Sequence, residues 1–282
     1  NFDSVDKCIN QNIKKKSDQR EIKGTPRFTS RDAITVTDLM GTGTPGILWT
    51  YNAGESRERM YFVDLTKGQK PYLLNEVDNN LGALTRVHYT PSTEFYLRDL
   101  YGESPEAFPY IKPVGAWKTT LPFPVLTVSK VEAIDRISKN KLVTRYFYHH
   151  GYWDGVDLEL RRLINIDQFD TETFEAYNSD NLLLSENFEG VSTEEYSPPV
   201  YTKNWFHLGP VQLPNEDWGE LDTSEEFWAE DPSVLQRPSE FNQLLRTLTR
   251  RGRRDALRTL RGSAIRSELY AKDGSTRRER PY

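Results

Sequence analysis

The sequence predicts a mainly β protein, and three observations carry that reading. Aromatic residues make up 12% of the chain, with 15 Tyr against 13 Phe; such rings suit a pleated, half-buried surface where a polar tip stays wet. The 16 Pro and 17 Gly punctuate the chain every few residues, which argues against a helical bundle. Several segments also alternate apolar and polar residues with period two, the signature of a strand with one buried face.

Taken in order, residues 1–33 are polar and weakly patterned, with Lys14-Lys15-Lys16 in the middle, and read as a leader or insertion loop. With no initiator Met at Asn1, the chain reads as a piece of a longer one. Ile34 to Trp49 predicts strand, tight Gly/Thr loop and strand, and Arg59 to Asp64 a third strand closed by the Lys67-Gly68-Gln69 turn; together they make a first part, 34–75. The β-rich middle segment, 76–215, begins with alternation from Leu81 to Tyr89. Pro91 ends that strand, and the stretch to Trp117 reads as a long surface loop. Val125 to Ile137, a turn at Ser138-Lys139-Asn140-Lys141, and Leu142 to His149 predict an antiparallel hairpin. After Asp154-Gly155, residues Val156, Leu158, Leu160, Ile164 and Ile166 line one strand face, with Asp157, Glu159 and Arg161 opposite. Such a strand suits an antiparallel sheet with one wet face.

Ser197 to Leu213 is rich in Pro and aromatics and reads as extended. Residues 216–238 form an acidic linker. In the last part, 239–282, Ser239 is expected to cap a short Arg-rich helix carrying Phe241, Leu244, Leu245 and Leu248. Gly252 is expected to interrupt it before Leu257 and Leu260 resume the stripe. Ile265, Leu269 and Ala271 predict a final strand, and Asp273-Gly274 a hairpin turn. That strand lacks most of a partner before Tyr282, so an open sheet edge is expected there.

Composition sets limits on function. A net charge of −5 does not favour a nucleic-acid partner. Cys8 is the single cysteine, so no disulfide or Cys-based zinc site forms within the chain. No apolar run approaches the roughly 20 residues of a membrane helix, and no direct membrane span is expected.

Each candidate site has a plainer role that suits its residues better. The loop from Asp38 to Leu48 resembles the Asp-rich Ca²⁺ loop of propeller blades, but Met40, Thr42 and Gly46 stand where carboxylates are needed, which leaves a turn without the ion. His149-His150 lies near Asp154 and Asp157, yet neighbouring strand residues point to opposite faces, so a hydrogen-bonding role is expected for each ring. Cys8 sits in a polar leader, a poor setting for a nucleophile. The chain has no Gly-x-Ser-x-Gly elbow, no His-Glu-x-x-His pair and no Gly-rich phosphate loop, and no carboxylate pair stands in a diagnostic glycosidase setting. The arginines Arg246, Arg250, Arg251, Arg253, Arg254, Arg258, Arg261 and Arg266 read as a helix's wet face paired with the acidic run upstream. No catalytic, cofactor or metal residue is assigned.

Several blocks resemble the middle region of the B component of bacterial insecticidal Tc toxin complexes, also found in Spv-type virulence proteins. They are Arg59 to Leu65, Lys70 to Leu74, Asp78 to Tyr89, Ser92 to Leu97, Leu121 to Val125 and Asp135 to Lys141. The most specific is Val143-Thr144-Arg145-Tyr146-Phe147-Tyr148-His149-His150-Gly151-Tyr152-Trp153-Asp154-Gly155-Val156. Weaker likeness returns at Trp205-Phe206-His207 and from Leu260 to Gly274. Arg145 to Gly151 is similar to one YD-repeat unit, with His149 in place of its Asp. The resemblance implies the end of a β-propeller-like segment, then antiparallel strands leading into a YD-repeat (Rhs) shell that encloses a toxic polypeptide. It further implies a secreted toxin whose partners are other segments of the same chain, a C-type YD-repeat component and a translocation channel component. On this basis the chain is expected to be a non-catalytic structural segment, the alternative being a module that binds a partner protein or glycan.

Overall fold

The alternating segments are strands in the computed structural model, which describes residues 14–16, 19–21, 33–50, 60–104, 111–119, 121–138, 140–172, 198–213, 217–231 and 238–282. Cys8 and most of the polar leader lie outside the described residues. The chain divides into two units, residues 1–73 with 123–126, and residues 74–122 with 127–282.

In the first unit β1 (Lys14–Lys16) pairs antiparallel with β2 (Gln19–Glu21). The strands β3 (Ala33–Thr37), β4 (Gly46–Thr50) and β5 (Met60–Val63) form an antiparallel meander. Its register places Ile34, Trp49 and Tyr61 in one row and Val36, Ile47 and Val63 in the next, so one face is apolar throughout. Phe62 is buried on the other face. There a Cβ on Gly46 would stand 2.4 Å from the Phe62 ring and 2.5 Å from the Val63 carbonyl oxygen, and only glycine lets the strands approach. The β3–β4 loop is tied by Asp38, whose carboxylate accepts from the Thr42 N–H at 3.0 Å and the Gly43 N–H at 2.7 Å.

The second unit is built on a seven-stranded sheet of order β14-β11-β10-β9-β8-β7-β6. Its strands are β6 (Glu76–Asp78), β7 (Ala83–Pro91), β8 (Leu126–Asp135), β9 (Asn140–Asp154), β10 (Glu159–Glu172), β11 (Val200–Phe206) and β14 (Ala264–Ala271). Between β11 and β14 lie the small pair β12 (Val211–Gln212) and β13 (Trp218–Gly219), a 3-10 turn (Ser224–Glu226), and helices α2 (Ser239–Thr247) and α3 (Arg250–Arg258). The pairs β6–β7, β8–β9, β9–β10, β10–β11 and β11–β14 are antiparallel.

Because paired residues share a face, the register defines rows across the sheet. One row is Lys130, Arg145, Phe169, Tyr201 and Tyr270; the next is Phe147, Asp167, Lys203 and Glu268; a third is His149, Asn165, Trp205 and Arg266. Phe147, Phe169, Tyr201 and Tyr270 belong to a core cluster that also takes in Phe95, Ile111, Trp117 and Leu163. Ile164, Leu208 and Val211, with Tyr152 and Leu221, form a second cluster.

Five expectations are corrected. The stretch after Pro91 is not all loop: α1 (Ser92–Tyr101) follows directly, buries Ser92, Phe95 and Asp99, and stops at Gly102 with φ 72°. Proline's fixed φ suits a helix entry, and glycine adopts the left-handed stop freely. Ser239 is the first helical residue and caps nothing, since Pro238 holds the cap position. Gly252 does not break the helix. The break falls at Leu248, and Thr249 caps α3 by accepting the Gly252 N–H at 3.1 Å. Arg161 does not face solvent: a bulge between Leu160 and Arg162 leaves it 3% exposed, while Val156 and Leu158 are exposed in the turn. Finally, the last strand has a partner on one side, since Val200–Phe206 pairs with it along its length, while its other side is the edge of the sheet, as expected. On its other edge the Tyr282 N–H donates to the Leu269 carbonyl at 2.9 Å.

Candidate functional site

Charged side chains are few in protein cores unless paired, yet fifteen polar or charged residues are buried among those described. The ionic ones fall into three groups on the second unit.

The first centres on His149. Its Nδ1 lies 2.6 Å from Asp99 Oδ2, and its Nε2 lies 3.6 Å from Asp167 Oδ2, an ion-pair distance rather than a hydrogen bond. Asp99 also accepts from the Trp117 indole N–H at 2.6 Å and the Val114 N–H at 3.3 Å. The Tyr201 hydroxyl donates to Asp167 at 2.7 Å. Tyr201 stacks on Tyr270, whose hydroxyl donates to Glu268 at 2.6 Å. Burial works against a charged His149, but Asp167 and Asp99 outweigh it and raise its pKa to about 9. Burial likewise opposes ionised Asp167, and His149, Lys203 and Tyr201 reverse that, so its pKa falls. His150 turns to a different acid. With φ 55°, its Nε2 meets Glu226 at 2.8 Å, while the other Glu226 oxygen accepts from Asn165 and Trp205, each at 3.1 Å.

The second group staples α3 to the β9–β10 turn. Asp154, 1% exposed, pairs with Arg161 and with Arg254 at 2.9 Å. Asp157 meets Arg161 at 2.9 Å, Arg254 at 2.8 Å and Arg258 at 3.3 Å. Glu159 meets Arg261 at 2.6 Å. Burial would raise the Asp154 pKa, but the backbone N–H of Val156 and the Arg161 guanidinium lower it. Nearby, Arg250 and Arg254 lie over the Trp218 ring, and Arg253 pairs with Asp217.

In the third group Glu132, buried on β8, takes Lys130 and Lys141 at 3.0 Å and His88 at 2.9 Å. Burial pushes its carboxyl up, but these three partners prevail and hold it at about 2.

Chemically, these groups neutralise one another, and the cavity of about 270 Å³ lined by Arg277, Arg280, Pro281 and Tyr282 lies at none of them. The cleft beside the His207–Glu220 pair, lined by Ile164, Leu208 and Leu221, holds about 10 Å³, less than a substrate needs. Among the described residues no cluster of three or more His, Cys, Asp or Glu side chains is arranged to hold a metal. Nor is any described helix long and apolar enough to cross a membrane.

Asp154 and Asp157, noted in the sequence for their closeness to His149-His150, bind arginines instead. The expected wet face paired with the acidic run holds only in part: Arg254 is buried, Arg254, Arg258 and Arg261 pair with Asp154, Asp157 and Glu159, and of the acidic run Asp217 and Asp231 take part, meeting Arg253 and Arg266. Asp99, Asp167, Glu226 and Glu132 were not singled out from sequence. Their available signal was position: Asp167 shares a face with Phe169 in an alternating strand, and Asp99 follows Phe95 by four.

The described residues thus define a predominantly antiparallel β-sheet protein whose buried ionic groups pair with one another. The model of the insecticide toxin TcdB middle/N-terminal region matches residues 11–209, and the chain belongs to that family. Among solved structures, it is similar to a TcdB2-TccC3 crystal structure at 28% identity and TM-score 0.64, covering 94% of this chain and 12% of the other. A TcdB2-TccC3-TEV structure matches at 27% identity and TM-score 0.64, over 94% of this chain and 11% of that one. The version without the hypervariable C-terminal region gives 28%, 0.63, 93% and 11%. The chain thus spans about a tenth of the length of these relatives. No curated protein sequence matches it.

Proposed function

We propose that this chain is a non-catalytic structural and assembly segment of a large secreted toxin of the Tc B-component type. It contributes strands to a β shell that encloses a toxic polypeptide and helps deliver it. The observation that carries this reading is the near-complete structural match to one part of a much longer chain solved with TccC3. The ionic groups support it. Asp154, His149 and Glu132 tie helices, turns and strands together, and a wall that must hold shape under load benefits from such ties.

In this reading the β3–β5 meander ends a propeller-like segment, and the seven-stranded sheet leads toward YD-repeat strands. The partners are other segments of the same toxin, a C-type component and a translocation channel component. To test it, the B-type protein containing this chain is co-expressed with a C-type partner and treated with protease. The cargo should co-purify and resist digestion, and a chain carrying Asp154→Ala with Arg254→Ala should lose that protection. Cargo cut at the rate of the free polypeptide, or turnover of a glycan panel by the wild-type protein, would sink the proposal and favour a binding or carbohydrate-active module.

A further inference from the structure

Each of the four histidines sits against a carboxylate: His88 on Glu132, His149 on Asp99, His150 on Glu226 and His207 on Glu220. His149 and His150 are both buried, and His149 differs in having a second acid, Asp167, on its far side. We propose that His149 is a pH-operated latch, whose protonated ring holds α1 and residues 111–119 on the sheet and whose loss of that proton in alkaline solution releases them while the strands stay paired.

Asp99 is the polar residue that α1 buries deepest, and its carboxylate gathers one N–H from β9, one from the Trp117 indole and one from the Val114 backbone. Three separate pieces of chain therefore meet on one carboxylate. With a proton on each nitrogen, the His149 ring offers positive charge to Asp99 and Asp167 together. A neutral ring keeps one N–H, and two buried carboxylates then face each other across it. Asp167 has little in reserve, since its Oδ1 accepts no hydrogen bond. Buried, uncompensated charge is costly, and the cheapest relief is to let Asp99 reach water, which means lifting α1. The strand ladders stay intact when α1 lifts, because those of β9, β10 and β11 do not involve it; residues 111–119 give up in addition the Thr119 hydroxyl's bond to the Gly151 carbonyl and the Lys118 N–H's bond to His150 Nδ1.

The neighbours fit this assignment. From α1 come Asp99 and Arg98, the latter lying over the Phe95 and Phe147 rings. β10 supplies Asp167; β11 supplies Tyr201 and Lys203; β14 supplies Glu268 and Tyr270; β9 itself supplies Arg145 and His150. The 3-10 turn supplies Glu226, bound to His150, and residues 111–119 supply Trp117 and Lys118, whose ammonium is held by Glu225 and the Asp222 carbonyl. Burial pushes the Tyr201 and Tyr270 hydroxyls up, so these two keep their protons as His149 gives its own up. Because the His149 value is raised, its stabilisation is complete below the ordinary 6.5 and is lost as pH rises through about 9. The released proton goes to solvent.

Hydrogen exchange, corrected for intrinsic rates, followed from pH 7 to pH 10 on the whole chain tests this, together with NMR titration of the His149 ring. The α1 and 111–119 amides should open on the order of 50-fold more often at pH 10 than at pH 7, with β10 and β11 unchanged and the ring titrating near 9. A chain carrying His149→Gln, which cannot be charged, should show a flat profile at α1. A ring titrating at the ordinary 6.5 or below, an α1 profile as flat as that of β10, or loss of α1 and β10 together would overturn the latch. Should the variant fail to fold, the wild-type ring titration and the α1 profile still decide.

Discussion

Replacing Asp154 by Asn removes a charge without changing shape, and its cost can be worked from the contacts. The wild-type carboxylate is 1% exposed and faces two guanidiniums, one of them Arg161, whose side chain is fully buried. Taking one partner from a buried ion pair costs about 3–5 kcal/mol. Asp157 remains 2.9 Å from Arg161 and 2.8 Å from Arg254, which places the expected loss at the low end, about 3 kcal/mol. With a urea slope of about 3 kcal/mol/M, the midpoint should fall by about 1 M. Trp218, stacked under Arg250 and Arg254, gives the fluorescence readout. The double change Asp154→Leu with Arg161→Met should recover much of the loss, because an apolar pair needs no desolvation. A midpoint shift of less than about 0.3 M in the single variant would refute the idea that this group holds α3 to the turn.

Further outcomes are expected. Because the Glu132 carboxyl is depressed to about 2, its contribution is present above the ordinary 4.5 and lost as pH falls toward 2; Glu132→Gln should cost about 2 kcal/mol at pH 7 and flatten the acid limb of a stability profile. Gly46→Ala should destabilise the β3–β5 meander by about 2–3 kcal/mol, since its Cβ would meet the Val63 backbone as well as the Phe62 ring; thermal melting reads this, and an unchanged melting point would contradict the packing. Calorimetric titration with Ca²⁺ and Zn²⁺ should show no one-to-one site of micromolar affinity, because Asp38 already accepts the Thr42 and Gly43 N–H groups and the two rings of His149 and His150 serve different acids.

The sheet was legible where burial is one-sided. Val125 to His149 alternates cleanly, and its hairpin lies within two residues of expectation at the turn. α1 was hidden by Pro91, which ends a strand and opens a helix with the same fixed φ. Arg161 was misplaced because alternation counts residues, whereas a bulge adds one and turns each later side chain to the opposite face. The ionic groups were the least legible. Nothing local marks Asp99 as the partner of His149, fifty positions on, and such pairings exist only once tertiary structure brings them together. The resemblance to Tc B components, by contrast, rests on collinear blocks and needed no contact information.

The staple of α3 on the β9–β10 turn also carries a consequence for how the chain comes to be made. Asp154 and Arg254 are one hundred residues apart, whereas the β8, β9 and β10 meander turns over short connections. Local hairpins close early and distant pairings late, so a ribosome extruding this chain would present Asp154, Asp157 and Glu159 sharing Arg161 well before the arginines of α3 emerge. Until then three carboxylates share one guanidinium within the staple, and excess charge of one sign on a hairpin discourages edge-to-edge pairing. The helix is thus the closing clasp of the nascent chain, and the arginines that compose it set the moment at which the turn is locked.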